Sequence, residues 1–411
     1  MLTSYTHSAV DNVLLKMIEK EKIQPELSMP FLRLGKPTRV HPTVFASSAE
    51  QKLDLKTTDT LNELYSNVPL VATTCLGTNH PAITARSQPF DYCILDEAGQ
   101  CLLLSSLGPL FYSKKFVLVG DPHQLPPLVQ SQVARSQGMD ISLFSHLSTK
   151  AENIIPLSMQ YRMNEKIQAL ANHLTYEGKL ECGSEEVAKR TIISNSRRSI
   201  KDEPKWINRL FDSKSIDNSV LFLNTELLDN AMETTCDLGL YNPGEGDIVQ
   251  KICKAFDALY HSEGNSSSKS ENNPDKGTLS VGIIAPYRAQ VMHLRNKVSS
   301  SVNMKIDINT VDQFQGQDKD VIIYSCTRST PRKVKRNDNG EVEEIMGSND
   351  IMCDKRRLNV ALTRAKSKLV IIGNGTALHS YEPFKNLLSY LVSNDDIFQI
   401  KTMDLDHLEI E

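Results

Sequence analysis

Tyr92-Cys93-Ile94-Leu95-Asp96-Glu97-Ala98-Gly99-Gln100 sets a short apolar run against two adjacent carboxylates and two small residues. The run reads as a buried strand. An Asp-Glu pair at its end offers one acid to hold a metal ion and a second to activate water. Alone the pair is weak, because any strand end that meets solvent can look like this. The next strand decides the matter. Phe116-Val117-Leu118-Val119 leads into Gly120-Asp121-Pro122-His123-Gln124-Leu125-Pro126-Pro127, a polar Gln in a loop stiffened by prolines. Two such loops after successive strands lie at the carboxyl edge of an open α/β sheet, where ligands bind.

The 411 residues suffice for two or three domains of ordinary size. Apolar content of 40% and charged content of 23% describe a globular chain. No apolar run approaches the ~20 residues of a membrane span, and no secretory signal opens the sequence. The eight cysteines include no C-x-x-C pair and read as reduced, buried or half-buried thiols of an intracellular protein. Net charge is −4, so binding to nucleic acid has to come from a local groove.

Working outward, the N-terminal stretch Met1–Leu15 reads as the end of a strand, a polar loop and an amphipathic helix. Ser8 is the expected N-cap, and Val10, Val13, Leu14 and Met17 share a face. Helical segments around 50–66 form a small insertion within 16–68, and Val68–Cys75 is a strand ending in hydroxyls. After Gln160-Tyr161-Arg162 a helix starts at Asn164, with Ile167, Leu170 and Leu174 on one face. Residues 180–219 read as a loop-rich connection, and 262–276 and 331–344 as surface loops. Strands at 220–223, 281–285, 306–311, 321–326 and 369–373 alternate with helices at 246–259 and 356–366. Continuous apolar strands of this kind imply a parallel sheet covered on both faces.

Taken in order, these stretches resemble the motifs of superfamily 1 helicases. The Asp96-Glu97 and Gln124 loops resemble motifs II and III, and Gln160-Tyr161-Arg162 resembles motif IV. Val311-Asp312-Gln313-Phe314-Gln315-Gly316 resembles motif V, and Arg357-Leu358-Asn359-Val360-Ala361-Leu362-Thr363-Arg364-Ala365 resembles motif VI. Gly282–Arg288 resembles the motif between IV and V, and the stretches at 1–15 and 68–75 resemble motifs Ia and Ic. Within the 5′-to-3′ branch the chain is similar to the helicase half of the replication helicase/nucleases. Leu2–Asn12, Phe31–Gly35 with Val40-His41-Pro42, and Leu174–Ser184 carry that narrower likeness.

The resemblance implies two RecA-like P-loop NTPase domains, about 1–156 and 157–400, an acidic tail at 401–411, and a nucleotide cleft served by both domains. It implies ATP and Mg²⁺ as cofactors, with Asp96 holding Mg²⁺ through water and Glu97 acting on the attacking water. Gln124 would sense the γ-phosphate. Gln160, Tyr161, Gly316 and Asp318 would complete the nucleotide set, and Arg162 and Arg364 would neutralise developing charge. Single-stranded DNA would lie on Thr3, Ser4, Thr6, His7, Ser8, Thr73, Thr74, Pro286, Tyr287, Arg288 and Thr310. Implied partners are flap or forked DNA and a single-strand-binding protein, with no membrane. The implied compartment is the nucleus, with the mitochondrion as the alternative.

Departures from the family are equally plain. No G-x-x-x-x-G-K-[ST] loop exists in the chain: Gly35-Lys36 is followed by Pro37-Thr38, and Gly244-x-Gly246 has no Lys-Ser/Thr. The family's nuclease domain and its iron–sulfur cluster are also absent from these residues. The chain alone is therefore expected not to hydrolyse ATP, to expose a strand edge and to dissolve poorly, with the missing βα unit within roughly 30 residues upstream. An RNA helicase of the mRNA-surveillance type and a non-catalytic strand-binding fragment stay open as alternatives.

Overall fold

A computed structural model describes residues 1–52, 57–192, 205–212, 215–261, 278–301, 303–332, 335–336, 342–343, 350–402 and 404–405. The expected loop at 262–276 and most of the one at 331–344 lie outside these residues, as does most of the tail at 401–411. The chain forms two compact units, Met1–Ile155 and Pro156–Glu411.

The first unit is built on five strands: β1 (Leu2–Ser4), β2 (Phe31–Arg33), β3 (Leu70–Thr74), β4 (Phe90–Asp96) and β5 (Ser113–Leu118). Their order is β2-β3-β1-β4-β5, and every pairing is parallel. Helix α1 (His7–Ile23) follows β1 and buries Val10, Leu14 and Ile18, a four-residue spacing that makes one face. Its N-cap is Thr6, not the expected Ser8. Thr6 is extended (φ −108°, ψ 152°) and its Oγ1 accepts from the Ala9 amide at 3.2 Å, whereas Ser8 already lies in the first turn. The insertion is helical at Pro42–Ser47, Ala49–Lys52 and Thr58–Asn67.

This sheet is not covered on both faces throughout. α1 and its neighbours pack Leu2, Phe31 and Ala72 into one core, and Met1, Leu32, Val71 and Cys93 face a second core on the other side. Over the β4–β5 half, on the face that carries α1 elsewhere, Tyr92, Ile94 and Val117 are 52%, 42% and 46% exposed. Among the described residues β5 has no partner on its outer edge.

The second unit carries β6 (Val220–Asn224), α2 (Pro243–His261), β7 (Leu279–Ala285), β8 (Met304–Thr310), β9 (Lys319–Ser325), α3 (Lys355–Leu362), β10 (Ala365–Gly373) and β11 (Ile397–Gln399). Its sheet runs β8-β7-β9-β10-β6-β11, all parallel. Every residue of β6 is buried, and all but one of β10, as a centre covered on both faces requires. Both units are α/β with parallel sheets, the RecA-like class that the sequence predicts.

Several boundaries move. α2 begins at Pro243, because proline suits the first helical turn and Asn242 Oδ1 caps the Glu245 amide at 3.1 Å. Ile248, Ile252 and Phe256 line its buried face, while the Leu259 side chain lies outside the described residues. The helix expected to reach Lys366 ends at Leu362, since Ala365 already pairs with Lys319 as β10 begins. Residues 180–219 are less loop-like than expected: Trp206, Ile207 and Leu210 on the helix Lys205–Phe211 enter the main core at helical spacing. Among the thiols, Cys236 is exposed on a small hairpin rather than buried or half-buried.

One buried carboxyl sits beneath the carboxyl edge of this sheet. Glu245 Oε2 accepts from Ser325 Oγ at 2.6 Å and from the Thr327 amide at 2.9 Å, and Gln290 Nε2 donates to Ser325 Oγ at 2.8 Å. Burial pushes the Glu245 carboxyl up to about 8, against the pull of the Ser325 and Thr327 hydrogen bonds. An unfolded Glu releases its proton near pH ~4.3. The native state therefore holds a proton that the unfolded chain has lost. Its stabilising effect is complete below about pH 4.3 and disappears as pH rises through about 8. Thermal unfolding of Glu245→Gln should accordingly show a shallower fall in stability from about pH 5 to about pH 8 than the parent chain. Equal slopes would refute this account of Glu245.

Candidate functional site

In the first unit the acidic loop leaves β4 directly. Ser4 and Asp96 are register partners at the ends of neighbouring strands. Burial pushes the Asp96 carboxyl up, offset in part by the Glu97 backbone amide and the Lys16 charge. Glu97 sits in the left-handed region (φ 52°, ψ 40°), which is uncommon for a residue with a Cβ and turns the chain sharply after the strand. Its Oε2 accepts from Gln100 Nε2 at 2.9 Å. The Ala98 amide donates to the Val119 carbonyl at 2.8 Å, which ties this loop to the one after β5. There Asp121 accepts from the His123 amide at 2.9 Å and from Gln124 Nε2 at 3.0 Å, so one carboxylate shapes the turn and aims the Gln124 side chain.

Ser4 Oγ is buried and has no hydrogen-bond partner among the described residues. Its register partner is Asp96, which Glu97 follows, so oxygen-bearing side chains cluster at this strand end. A hard divalent cation such as Mg²⁺ prefers that donor set, and the residues present fit it.

The hydroxyls expected to meet a nucleic-acid strand divide into two groups. Thr6 and Ser8 are exposed, and His7 and Thr74 are half-buried. Thr3, Ser4 and Thr73 are out of solvent, with Thr3 Oγ1 donating to Cys75 Sγ at 3.5 Å. Their side chains cannot lie against a strand. The physical reason is that they still belong to β1 and β3, inside a sheet packed on both sides.

In the second unit, Arg162 Nε lies 3.4 Å from Asp318 Oδ2, and its Nη1 donates to the Thr363 carbonyl at 3.3 Å. Lys366 Nζ holds the other oxygen of Asp318 at 2.7 Å. Burial would raise the Asp318 carboxyl, but the hydrogen bond and charge of Lys366, with Arg162 behind them, hold it below the usual range. Arg364 is almost fully buried; its Nε donates to the Val360 carbonyl at 3.1 Å and its Nη1 to the Gln317 carbonyl at 3.4 Å. It therefore braces the Gly316–Asp318 loop against α3 from within. Arg162, Gly316, Asp318 and Arg364 are thus brought together, and Lys366 joins them without having been singled out in the sequence.

Gln160 and Tyr161 are held by the stretch 174–184, for which the sequence offered no task. Gln160 pairs with Cys182 as a parallel bridge, and the Gly183 amide donates to the Gln160 carbonyl at 2.8 Å. The exposed Tyr161 ring lies directly over Gly183, where a Cβ would come within 2.3 Å of two ring carbons. Only glycine allows that approach. The other expected strand contacts sit at neighbouring strand ends, since Ala285 and Thr310 are register partners. There Arg288 is exposed, Pro286 is buried, and the Tyr287 hydroxyl donates to Asp350 Oδ1 at 3.0 Å.

With these groups placed, comparison with known proteins becomes informative. The DNA replication ATP-dependent helicase/nuclease DNA2 of Xenopus laevis is 40% identical over all of this chain, which covers 36% of that protein. The human protein of the same name is 39% identical over 99% of this chain, again with 36% of its length covered. The Saccharomyces cerevisiae protein is 33% identical over 97% of this chain and has 24% of its length covered. The chain thus spans about a third or less of the curated relatives it matches. A solved complex of the arterivirus nonstructural protein 10 helicase with DNA overlaps loosely, with a TM-score of 0.38 at 13% identity, over 95% of this chain and 56% of that one. An AAA domain pattern matches residues 46–132 and another matches 139–376, more than half of the sequence. The chain belongs to the AAA domain family.

Proposed function

We propose that this chain is the motor portion of an ATP-dependent DNA helicase that moves along single-stranded DNA, in a protein that also processes 5′ flaps. The observation that carries the reading is the acidic loop of β4 tied by backbone to the Gln124 loop of β5, within a chain so similar to replication helicase/nucleases. Flap or forked DNA and a single-strand-binding protein are the proposed partners, in the nucleus, with the mitochondrion as the alternative compartment.

In this reading Asp96 would hold Mg²⁺, which when bound would neutralise charge on the phosphates of ATP. Glu97 orients the attacking water and takes its proton, from the left-handed turn that directly follows β4. Gln124, aimed by Asp121, reads the state of the γ-phosphate. Tyr161 stacks on adenine, with Gln160 beneath it. Arg162 exchanges Asp318 for phosphoryl oxygens, a step helped by Lys366, which keeps Asp318 paired after the exchange. Arg364 acts from behind by fixing the Gly316–Asp318 loop. Thr6, His7, Ser8, Thr74, Arg288 and Thr310 hold phosphate and sugar of the strand.

The bare β4–β5 half favours a second reading for residues 1–411 taken alone. Three apolar side chains and an unpaired strand edge lie where a further βα unit could pack, and the sequence contains no G-x-x-x-x-G-K-[ST] loop to cradle the β- and γ-phosphates. In that state the chain binds a strand without turning over ATP.

Residues 1–411 should hydrolyse ATP no faster than their own Glu97→Gln variant, with or without single-stranded DNA. A longer chain that supplies the phosphate-binding loop should gain strand-stimulated turnover, which Glu97→Gln abolishes while leaving ATP binding intact. Stimulated turnover by residues 1–411 unaided would overturn the assignment of the missing cradle. Strand affinity should fall steeply with salt and vary little with base sequence, as fluorescence anisotropy on DNA and RNA oligonucleotides would show. A clear preference for RNA would move the proposal to the mRNA-surveillance class. In the longer chain Gly183→Ala should weaken adenine-nucleotide binding roughly three- to tenfold, the worth of one aromatic stack. In a Tyr161→Ala background the same change should cost nothing further, and an additive loss would remove Gly183 from the site.

A further inference from the structure

Two of the stretches that carry the narrower kinship, at 2–12 and 31–42, meet in one buried node of the first unit. The Arg33 side chain, at the end of β2, is wholly out of solvent. Its Nε donates to Asp11 Oδ1 at 2.7 Å and its Nη1 donates to the Leu34 carbonyl. Its Nη2 lies 3.0 Å from His7 Nδ1 and also reaches the His7 carbonyl at 3.4 Å. Asp11 Oδ2 in turn accepts from the His41 amide at 2.9 Å. β2 and β1 are not neighbours in the sheet, so this arginine reaches across the end of β3 to the first turns of α1, which follows β1.

The chemistry of the pair at 3.0 Å is one-sided. A guanidinium carries only donors and does not deprotonate in proteins, so Nδ1 of His7 must be the acceptor. The ring proton then sits on Nε2. A second proton on Nδ1 would face Arg33 directly. Gly35 closes the other side of the ring: it has φ +156°, and a Cβ there would stand 3.1 Å from His7 Cε1.

We propose that Arg33 is a positioning residue for strand binding: it fixes His7 as an uncharged Nε2–H donor, presented beside the Thr6 and Ser8 hydroxyls to a sugar or phosphate oxygen of a single strand. The inference rests on the reading of this loop as a strand-binding surface. Arg33 is buried and touches no strand itself. A neutral donor grips an oxygen without adding a cation, so it contributes affinity without steepening the salt dependence. Burial lowers the His7 pKa first, and the Arg33 charge lowers it further; Asp11 opposes them and Arg39 adds to the lowering. Burial and the Arg33 charge thus act in the same direction as the hydrogen bond, toward the neutral ring.

The test uses residues 1–411 and a dT oligonucleotide. Nitrogen-detected NMR of the protein alone should show His7 as the Nε2–H tautomer, titrating below the ordinary imidazole range. Arg33→Met should release the ring, so that the His7 pKa rises toward its ordinary value. Strand affinity should then rise as pH falls below about 6.5, and the salt slope should steepen by about 0.7. His7→Ala should lower affinity roughly fivefold with the salt slope unchanged. A wild-type Nδ1–H tautomer, a wild-type His7 that titrates near pH 6.5, or a reduced salt slope in His7→Ala would each overturn the inference. If His7→Ala is silent while Ser8→Ala weakens binding, the inference fails and the strand-binding reading stands. If the parent chain binds no oligonucleotide, both fail. Should Arg33→Met not fold, Gly35→Ala serves in its place: it displaces the ring from the outside and should reproduce the His7→Ala loss, and unchanged affinity in that variant counts against the inference.

Discussion

In a parallel sheet every strand delivers its carboxyl end to the same edge, and both units of this chain place their polar chemistry there. The constraint is geometric before it is chemical. Parallel strands need crossover helices, so their connecting loops alternate between two edges, and only one edge gathers the residues that immediately follow each strand. Ser4, Thr74 and Asp96 share that edge in the first unit, as do Ala285, Thr310 and Ser325 in the second. What surrounds these ends is then a matter of local hydrogen bonds, of which the amide of Ala98 on the carbonyl of Val119 is the clearest.

Most of this was legible in the sequence because loop chemistry followed strand position. An Asp-Glu pair after an apolar run and a Gln between Asp-Pro and Pro-Pro need no tertiary information to be noticed. The same holds for Asn164, whose Oδ1 caps the Ile167 amide at 3.1 Å as its place before an apolar helix face suggests. Strand hydroxyls were harder. Thr3, Ser4 and Thr73 look identical in sequence to Thr6 and Ser8, and only the extent of β1 and β3 decides which of them are covered.

Buried charge was the least legible feature. Arginine is rarely out of solvent, so a sequence reading puts Arg364 and Arg33 on the surface by default. Each is buried because its guanidinium finds several acceptors at once: backbone carbonyls for Arg364, and a carboxylate, a carbonyl and an imidazole for Arg33. Those acceptors come from residues up to 47 positions away for Arg364, so no local spacing announces them. Gly183 was invisible for a similar reason, since its role is fixed by the Tyr161 ring 22 residues earlier in the chain.

The uncovered half of the first sheet has a consequence for how this polypeptide behaves in bulk. Among the described residues the outer edge of β5 has no partner strand, and Phe116 and Val117 on it are exposed, a combination open to pairing with the same strand on another copy. Pairing of that kind depends on the square of concentration, whereas folding of the unit does not depend on concentration at all. A dilute solution and a crowded one would therefore hold different populations of the same sequence. The central strands of the second unit are covered on both faces, so they add no exposed apolar face of this kind. A change to Phe116 or Val117 on β5 would alter this concentration dependence while leaving the polar strand ends at the carboxyl edge untouched.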